Sequence, residues 1–196
     1  CCFGVIDDCM LRCKMCQKWK EDSGIKGKPR ASLENWKRAA QSLRGIVDKG
    51  FEIDIGGGEA LLFKELWELV RYCTDLGFKM VVASNGYLVD KGMAKKIADS
   101  GLHSIILSLD SLKAETHDYF RGIPGVYDRV MKAIAYLHKY APKLHVGICT
   151  IIMEKNQDGI LDLARWTNQD TRLKSILFMA AMQPNNTPVA PAWYKE

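Results

Sequence analysis

Two hydrophobic periods alternate along this chain, and they change over in a fixed order. Period-two, β-rich runs occur at residues 3–7, 51–55, 78–84, 102–110, 143–152 and 173–181. Between them lie stretches whose apolar positions recur at three and four, the spacing of an amphipathic helix. These cover 33–49, 61–77, 88–101, 125–140 and 158–169. Ser32 stands where an N-cap is wanted for the first helix, Gly50 closes it, and Gly77 stops the second.

Unbroken strand–helix alternation predicts an α/β fold with a parallel sheet and right-handed crossovers. Period alone does not separate an open doubly wound sheet from a curved, barrel-like one. No Gly-x-Gly-x-x-Gly follows the first strand, which counts against the dinucleotide-binding version. Chemically loaded residues cluster instead at successive strand ends: 9–16, 56–59, 84–86 and 108–111. A site assembled around one rim is how barrels of this kind work. The expected architecture is a partial, open (β/α)6 TIM-like barrel occupying 1–196. The absent initiator methionine and the loop-like tail MQPNNTPVAPAWYKE lead us to expect a core truncated at both ends.

Composition narrows the class. Of 196 residues, 47% are apolar and 26% charged, which is ordinary globular composition. Such a chain buries enough surface to be stable without disulfides. The net charge of +5 is spread among acids along helical stretches, so nothing points to nucleic acid. No apolar run approaches the roughly 20 residues of a membrane span. Seven cysteines, an odd number without a preceding secretory signal, suggest a reducing, cytoplasmic compartment where clustered thiols bind metal or do redox work.

Five of the seven cysteines fall in the first sixteen residues, and Cys9, Cys13 and Cys16 form C-x-x-x-C-x-x-C. Three thiolates on one loop can ligate zinc, hold an iron–sulfur cluster, or supply a C-x-x-C redox pair. Structural zinc wants four ligands, usually as two separated pairs, and no second pair exists. Cys73 falls within a helix and Cys149 within a strand. Most electron-transfer clusters use four cysteines; three suffice where a substrate or cofactor takes the remaining iron.

The other rim residues read in two ways each. Gly56, Gly57 and Gly58 lack Cβ atoms, so their backbone can approach a ligand or turn at positive φ. Their carbonyls could accept from an ammonium, with Glu59 adding charge; equally, this is a tight turn with Glu59 in a favourable first helical turn. Ser104, Ile106, Ser108 and Asp110 share one strand face. Ser108 and Asp110 lie nearest the rim, as polar contacts or as the start of a turn with Ser111 capping a helix. Ser84-Asn85-Gly86 contains a common turn pair. Glu52 and Asp54 face away from Phe51, Ile53 and Ile55, toward either the lumen or the helices. His103 and His117 show no metal-ligand spacing.

CMLRCKMC after a first strand, then GGGEA, SNG and SLDS in order, resembles the radical S-adenosylmethionine (SAM) superfamily. The resemblance implies that Cys9, Cys13 and Cys16 bind a [4Fe–4S] cluster. SAM's amino and carboxylate groups would chelate the fourth iron. It implies that Gly57, Gly58, Glu59, Ser84 and Asn85 serve SAM, and that Ser108 and Asp110 meet its ribose or carboxylate. Glu59 is followed by Ala60 where the family usually has proline. HDYFRGIPG resembles relatives that carry a cysteine-rich, cluster-binding (SPASM/twitch-type) C-terminal extension, and Arg121 takes the place of an arginine that meets the SAM carboxylate. Met15 stands where an aromatic residue is usual near adenine, and Ile148, Thr150 and Phe178 are further candidates there.

The implied reaction is reductive cleavage of SAM to a 5′-deoxyadenosyl radical that abstracts hydrogen from a substrate, such as a peptide, a protein or a small molecule. A flavodoxin or ferredoxin would supply the electron. The competing reading is an iron–sulfur electron-transfer or sensor module that leaves SAM intact.

Overall fold

The computed structural model describes residues 1–19 and 29–181; the tail motif lies outside them. Among the described residues, six parallel strands form one sheet in the order β1-β2-β3-β4-β5-β6. They are β1 (Cys2–Ile6), β2 (Glu52–Gly57), β3 (Lys79–Ser84), β4 (Ser104–Ser108), β5 (His145–Ile152) and β6 (Ser175–Ala180). The helices are α1 (Leu33–Arg44), α2 (Leu66–Asp75), α3 (Lys91–Ala98), α4 (Ala114–Arg121), α5 (Val126–Tyr140) and α6 (Ile160–Gln169). Strand order follows chain order, with β1 and β6 as edges, so the sheet is the expected partial, open barrel.

Alternation along each strand decides which face is dry. Phe3 stacks on Trp36 of α1 at 4.8 Å, which marks the helix-covered side. Ile53, Ile55, Met80, Ile105 and Leu107 point there and are fully buried, each contributing about 1.5–3 kcal/mol. Leu69, Val70, Ile97, Ile134 and Leu137 meet them from the helices. The opposite face is open: Gly4 pairs with Gly56 and Ala83 with Ile106, and Leu177 and Met179 remain exposed. Glu52 and Asp54 lie on this open side, opposite Ile53 and Ile55.

Element ends differ from the pattern where side chains intervene. Ser32 caps α1 by accepting from the Asn35 N–H, but the helix stops at Arg44, whose guanidinium donates to the Val47 carbonyl. The second predicted helix splits. Glu59 accepts from the Leu61 N–H to start a short 3-10 turn, Ala60–Leu62, and α2 begins only at Leu66. Gly77, at φ 90°, ends α2 as expected. Helix α4 had no forecast: AETHDYFR has too few apolar positions to show a stripe. Ser111 accepts from the Lys113 N–H in the preceding turn rather than capping α4.

Candidate functional site

The loop after β1 lies on the sheet's C-terminal rim because neighbouring backbone holds it there. Gly58 donates to the Ile6 carbonyl and Glu59 to the Asp8 carbonyl, at 2.6 and 2.8 Å. A Cβ on Gly58 would sit 2.2 Å from the Asp8 carbonyl oxygen, and one on Gly57, at φ 136°, 2.0 Å from that of Ile6. The glycine pair therefore admits the incoming chain. On the loop's other side, Arg12 and Lys14 donate to the carbonyls of Arg121 and Phe120 at 3.2 and 2.9 Å. The end of α4 thus clamps the residues on both sides of Cys13. Gly122, in the left-handed region at φ 75°, leaves room for the Arg12 carbonyl.

This arrangement brings Cys9, Cys13 and Cys16 to the wall of one cavity of ≈ 580 Å³. N–H groups aim at the sulfurs: Leu11 at Cys9 and Lys18 at Cys16, both 3.4 Å, and the Asn85 amide at Cys9, 3.6 Å. Such donors stabilise anionic sulfur and tune any cluster it carries. Burial pushes the Cys13 thiol up to about 11 against the pull of the Arg121 guanidinium, and burial also raises Cys9. Cys9 feels the charge of Cys16, and Cys13 that of both, yet no three His, Cys, Asp or Glu among the described residues close around a single metal ion. Cys73 is buried in α2 and Cys149 contacts the Met179 sulfur at 3.6 Å, so neither supplies a fourth ligand. Three soft donors spaced around a cavity fit a multi-iron cluster better than zinc.

The remaining candidates divide into those on the cavity and those behind it. Met15, Gly57, Gly58, Ser84, Asn85, Ser108 and Arg121 line it. Glu59 is fully buried behind the wall: one carboxylate oxygen accepts from Leu61 N–H and Ser84 hydroxyl, the other from Asn85 N–H at 2.8 Å. Burial raises its pKa, opposed by those donors. Its carboxyl group thus braces the Ser84-Asn85-Gly86 turn, where Gly86 has φ 75°. Thr150 is fully buried and donates to the Leu109 carbonyl. Ile148 and Phe178 lie on strand faces away from the cavity.

Asp110 also stands behind the wall, 1% exposed, with its carboxylate on the Arg121 Nε at 2.8 Å and the Ile151 N–H at 3.1 Å. His117 lies 3.8 Å from that carboxylate but forms no ion pair. Its Nδ1 accepts from the Asp110 N–H, and burial holds its pKa down to about 3, with Arg121 pushing the same way. Its buried Nε2 has no partner among the described residues.

Sequence reasoning missed Leu11, Gln17, Lys18, Trp19, Ala83 and Ile151 on the cavity wall. Ala83 and Ile151 follow once register is known: Ser108 pairs with Cys149, and Ile151 is the next residue on that face. Trp19 donates its indole N–H to the Cys13 carbonyl, a closure that spacing does not show.

Comparison with known proteins agrees with this geometry. The family profile described as "Radical SAM superfamily" matches residues 4–167. An AdoMet-dependent heme synthase of Methanosarcina barkeri is 39% identical over 85 residues, covering 43% of this chain and 24% of its own. The Oleidesulfovibrio alaskensis protein of the same name is 30% identical over 148 residues, covering 73% and 36%. The chain therefore spans a quarter to about a third of these curated relatives. Streptococcus suis SuiB bound to S-adenosylmethionine shares the fold, with TM-score 0.75 and 18% identity over 94% of this chain and 41% of that one.

Proposed function

This chain belongs to the radical SAM superfamily, and on that premise we propose that its cavity carries out reductive SAM cleavage to initiate hydrogen abstraction from a substrate carbon. The observation that carries the proposal is the meeting of three loop thiols with the Gly57-Gly58 backbone, Asn85 and Arg121 around one cavity. The family uses a [4Fe–4S] cluster and SAM, which when bound supply a 5′-deoxyadenosyl radical.

The chain's own residues bind, orient and exclude. Cys9, Cys13 and Cys16 would hold three irons, and ligation displaces the Cys13 proton that burial retains. The Arg121 guanidinium, beside Cys13 and lining the cavity, offers a planar fork to the SAM carboxylate. Gly57 and Gly58 line the cavity, where their main-chain oxygens are offered to an ammonium. Leu11, Met15 and Ile151 keep the wall apolar, which protects a reactive species from water. An external one-electron donor of the flavodoxin or ferredoxin kind and a reducing, cytoplasmic setting belong to the same proposal. No helix among the described residues is long and apolar enough to cross a membrane.

The test is anaerobic reconstitution with iron and sulfide, reduction in the presence of SAM, and assay of 5′-deoxyadenosine. The expected product disappears when Cys9, Cys13 and Cys16 are changed to alanine. A cluster that forms without product would favour the electron-transfer or sensor reading. A zinc-only protein would overturn both.

A further inference from the structure

Asn156, in the 3-10 turn Glu154–Gly159 after β5, touches neither the thiols nor the cavity, yet its whole amide is committed. Its Nδ2 donates to the Asp110 carbonyl at 2.8 Å and to the Ile151 carbonyl at 2.9 Å, while its Oδ1 accepts from the Met153 N–H at 2.8 Å. It is 4% exposed. Asp110 is as completely engaged. Its N–H goes to His117, its carbonyl to Asn156, one carboxylate oxygen to the Ile151 N–H and the other to Arg121 Nε. Arg121 thus has its Nε fixed on Asp110 and its guanidinium against the Cys13 sulfur, and no described oxygen accepts from Nη1 or Nη2, on the side where the residue lines the cavity.

We propose that Asn156 is a positioning residue for Arg121: it fastens the end of β4 to the end of β5, so that Asp110 holds the guanidinium with its terminal nitrogens presented to a carboxylate in the cavity. This rests on the SAM-binding reading above. Arginine loses several rotatable bonds when it binds a ligand. A buried carboxylate on Nε removes that freedom beforehand, and preorganisation of this kind is read out as affinity. The carboxylate can do so only if its own backbone is fixed. Asn156 is the group that bonds the Asp110 and Ile151 main chains together, on top of the Asp110 carboxylate's bond to the Ile151 N–H. Helix α4 adds the second bracket, because His117 takes the Asp110 N–H from the helix that also carries Arg121. Asp110, by this account, acts through Arg121 and does not touch the cofactor.

The experiment measures SAM binding by calorimetry on anaerobically reconstituted protein, with iron content and thermal midpoint recorded for each variant. Asn156→Ala should weaken SAM binding about tenfold at unchanged iron content, and in an Arg121→Ala background it should change the affinity by less than about twofold. Asp110→Asn, isosteric and keeping the main-chain carbonyl that Asn156 holds, provides a second variant where Asn156→Ala folds poorly; it should give a similar loss. A lowered midpoint with wild-type SAM affinity would overturn the proposal. The same fold-loss with and without Arg121 would overturn it too, since Asn156 would then act by another route. Failure of the wild-type holoprotein to bind SAM is a different result and removes the proposed function itself.

Discussion

The Glu59 carboxylate reaches across from the end of β2 to accept the main-chain N–H of Asn85, at the end of β3, at 2.8 Å. Its other oxygen takes the Ser84 hydroxyl at the same distance. Two strand ends are thereby fastened by one buried acid, and Asn85 is left to aim its amide at the sulfurs of Cys9 and Met10. The acid connects the glycine turn to the cysteine loop without itself reaching the cavity.

Glu59→Gln tests that connection. The amide keeps the shape, but one of its two ends must face a donor with a donor, since three N–H or O–H groups converge on the original carboxylate. Leaving a buried donor unmade costs about 1–3 kcal/mol. Chemical denaturation should show a loss of that size, and reconstituted iron content should fall as Asn85 loosens. A variant as stable as the parent, with full iron, would refute the bracing role.

Gly58, just after β2, and Gly4, within β1, should behave oppositely. Alanine at Gly58 would place its Cβ 2.2 and 2.5 Å from the main-chain oxygens of Asp8 and Asp7, which lead directly into the cysteine loop. Backbone cannot swing aside as a side chain can, so Gly58→Ala should destabilise by roughly 1–3 kcal/mol and lower cluster occupancy. Gly4 meets nothing within 4 Å of its would-be Cβ. Gly4→Ala should stay within about 0.5 kcal/mol of the parent. Equal melting temperatures for the two variants would contradict this.

Arg121→Lys separates the cofactor's carboxylate from the cluster. Lysine keeps the charge beside Cys13 but loses the Nε that Asp110 fixes and the planar fork. Iron content should be unchanged while SAM affinity drops at least about tenfold. Binding as tight as the parent's would show that Arg121 is only an ion-pair partner of Asp110.

What the sequence disclosed follows from which interactions are local. The strand–helix order was legible because sheet and helix periods differ and glycines such as Gly77 punctuate them. The cysteine loop was legible because its three thiols sit within eight residues. The direction of Glu59 was not, since its partners Ser84 and Asn85 lie 25 and 26 positions away. The same holds for Asn156, which bonds a residue 46 positions distant. Helix α4 was hidden by its polarity, although it supplies both Arg121 and the carbonyls that pin the cysteine loop. Ile151 and Ala83 needed the register before they could be assigned to the open face.

His117 should leave a signature in the pH dependence of stability. Its imidazole is fully buried and faces Asp110, Arg121 and the Tyr127 ring, and burial holds its pKa down to about 3. An unfolded chain protonates the same group near 6.5. Between those values the unfolded state holds the extra proton, so stability falls as pH drops from about 6.5 toward 3. At pH 5 the loss from this one residue is about 2 kcal/mol, at 1.36 kcal/mol per pH unit. Glu59 acts with the opposite sign: its raised pKa makes the folded state hold a proton that the unfolded state has released, so its contribution declines as pH rises above its ordinary value. The raw slope therefore mixes the two, and the readout is the difference from His117→Gln, which keeps Glu59 and removes the imidazole. Urea midpoints at pH 7 and pH 5 should show the gap between parent and variant narrowing by about 2 kcal/mol at the lower pH. Parallel curves would mean that the imidazole is protonated in the folded protein, and the neutral hydrogen bond from the Asp110 N–H to its Nδ1 would have to be abandoned.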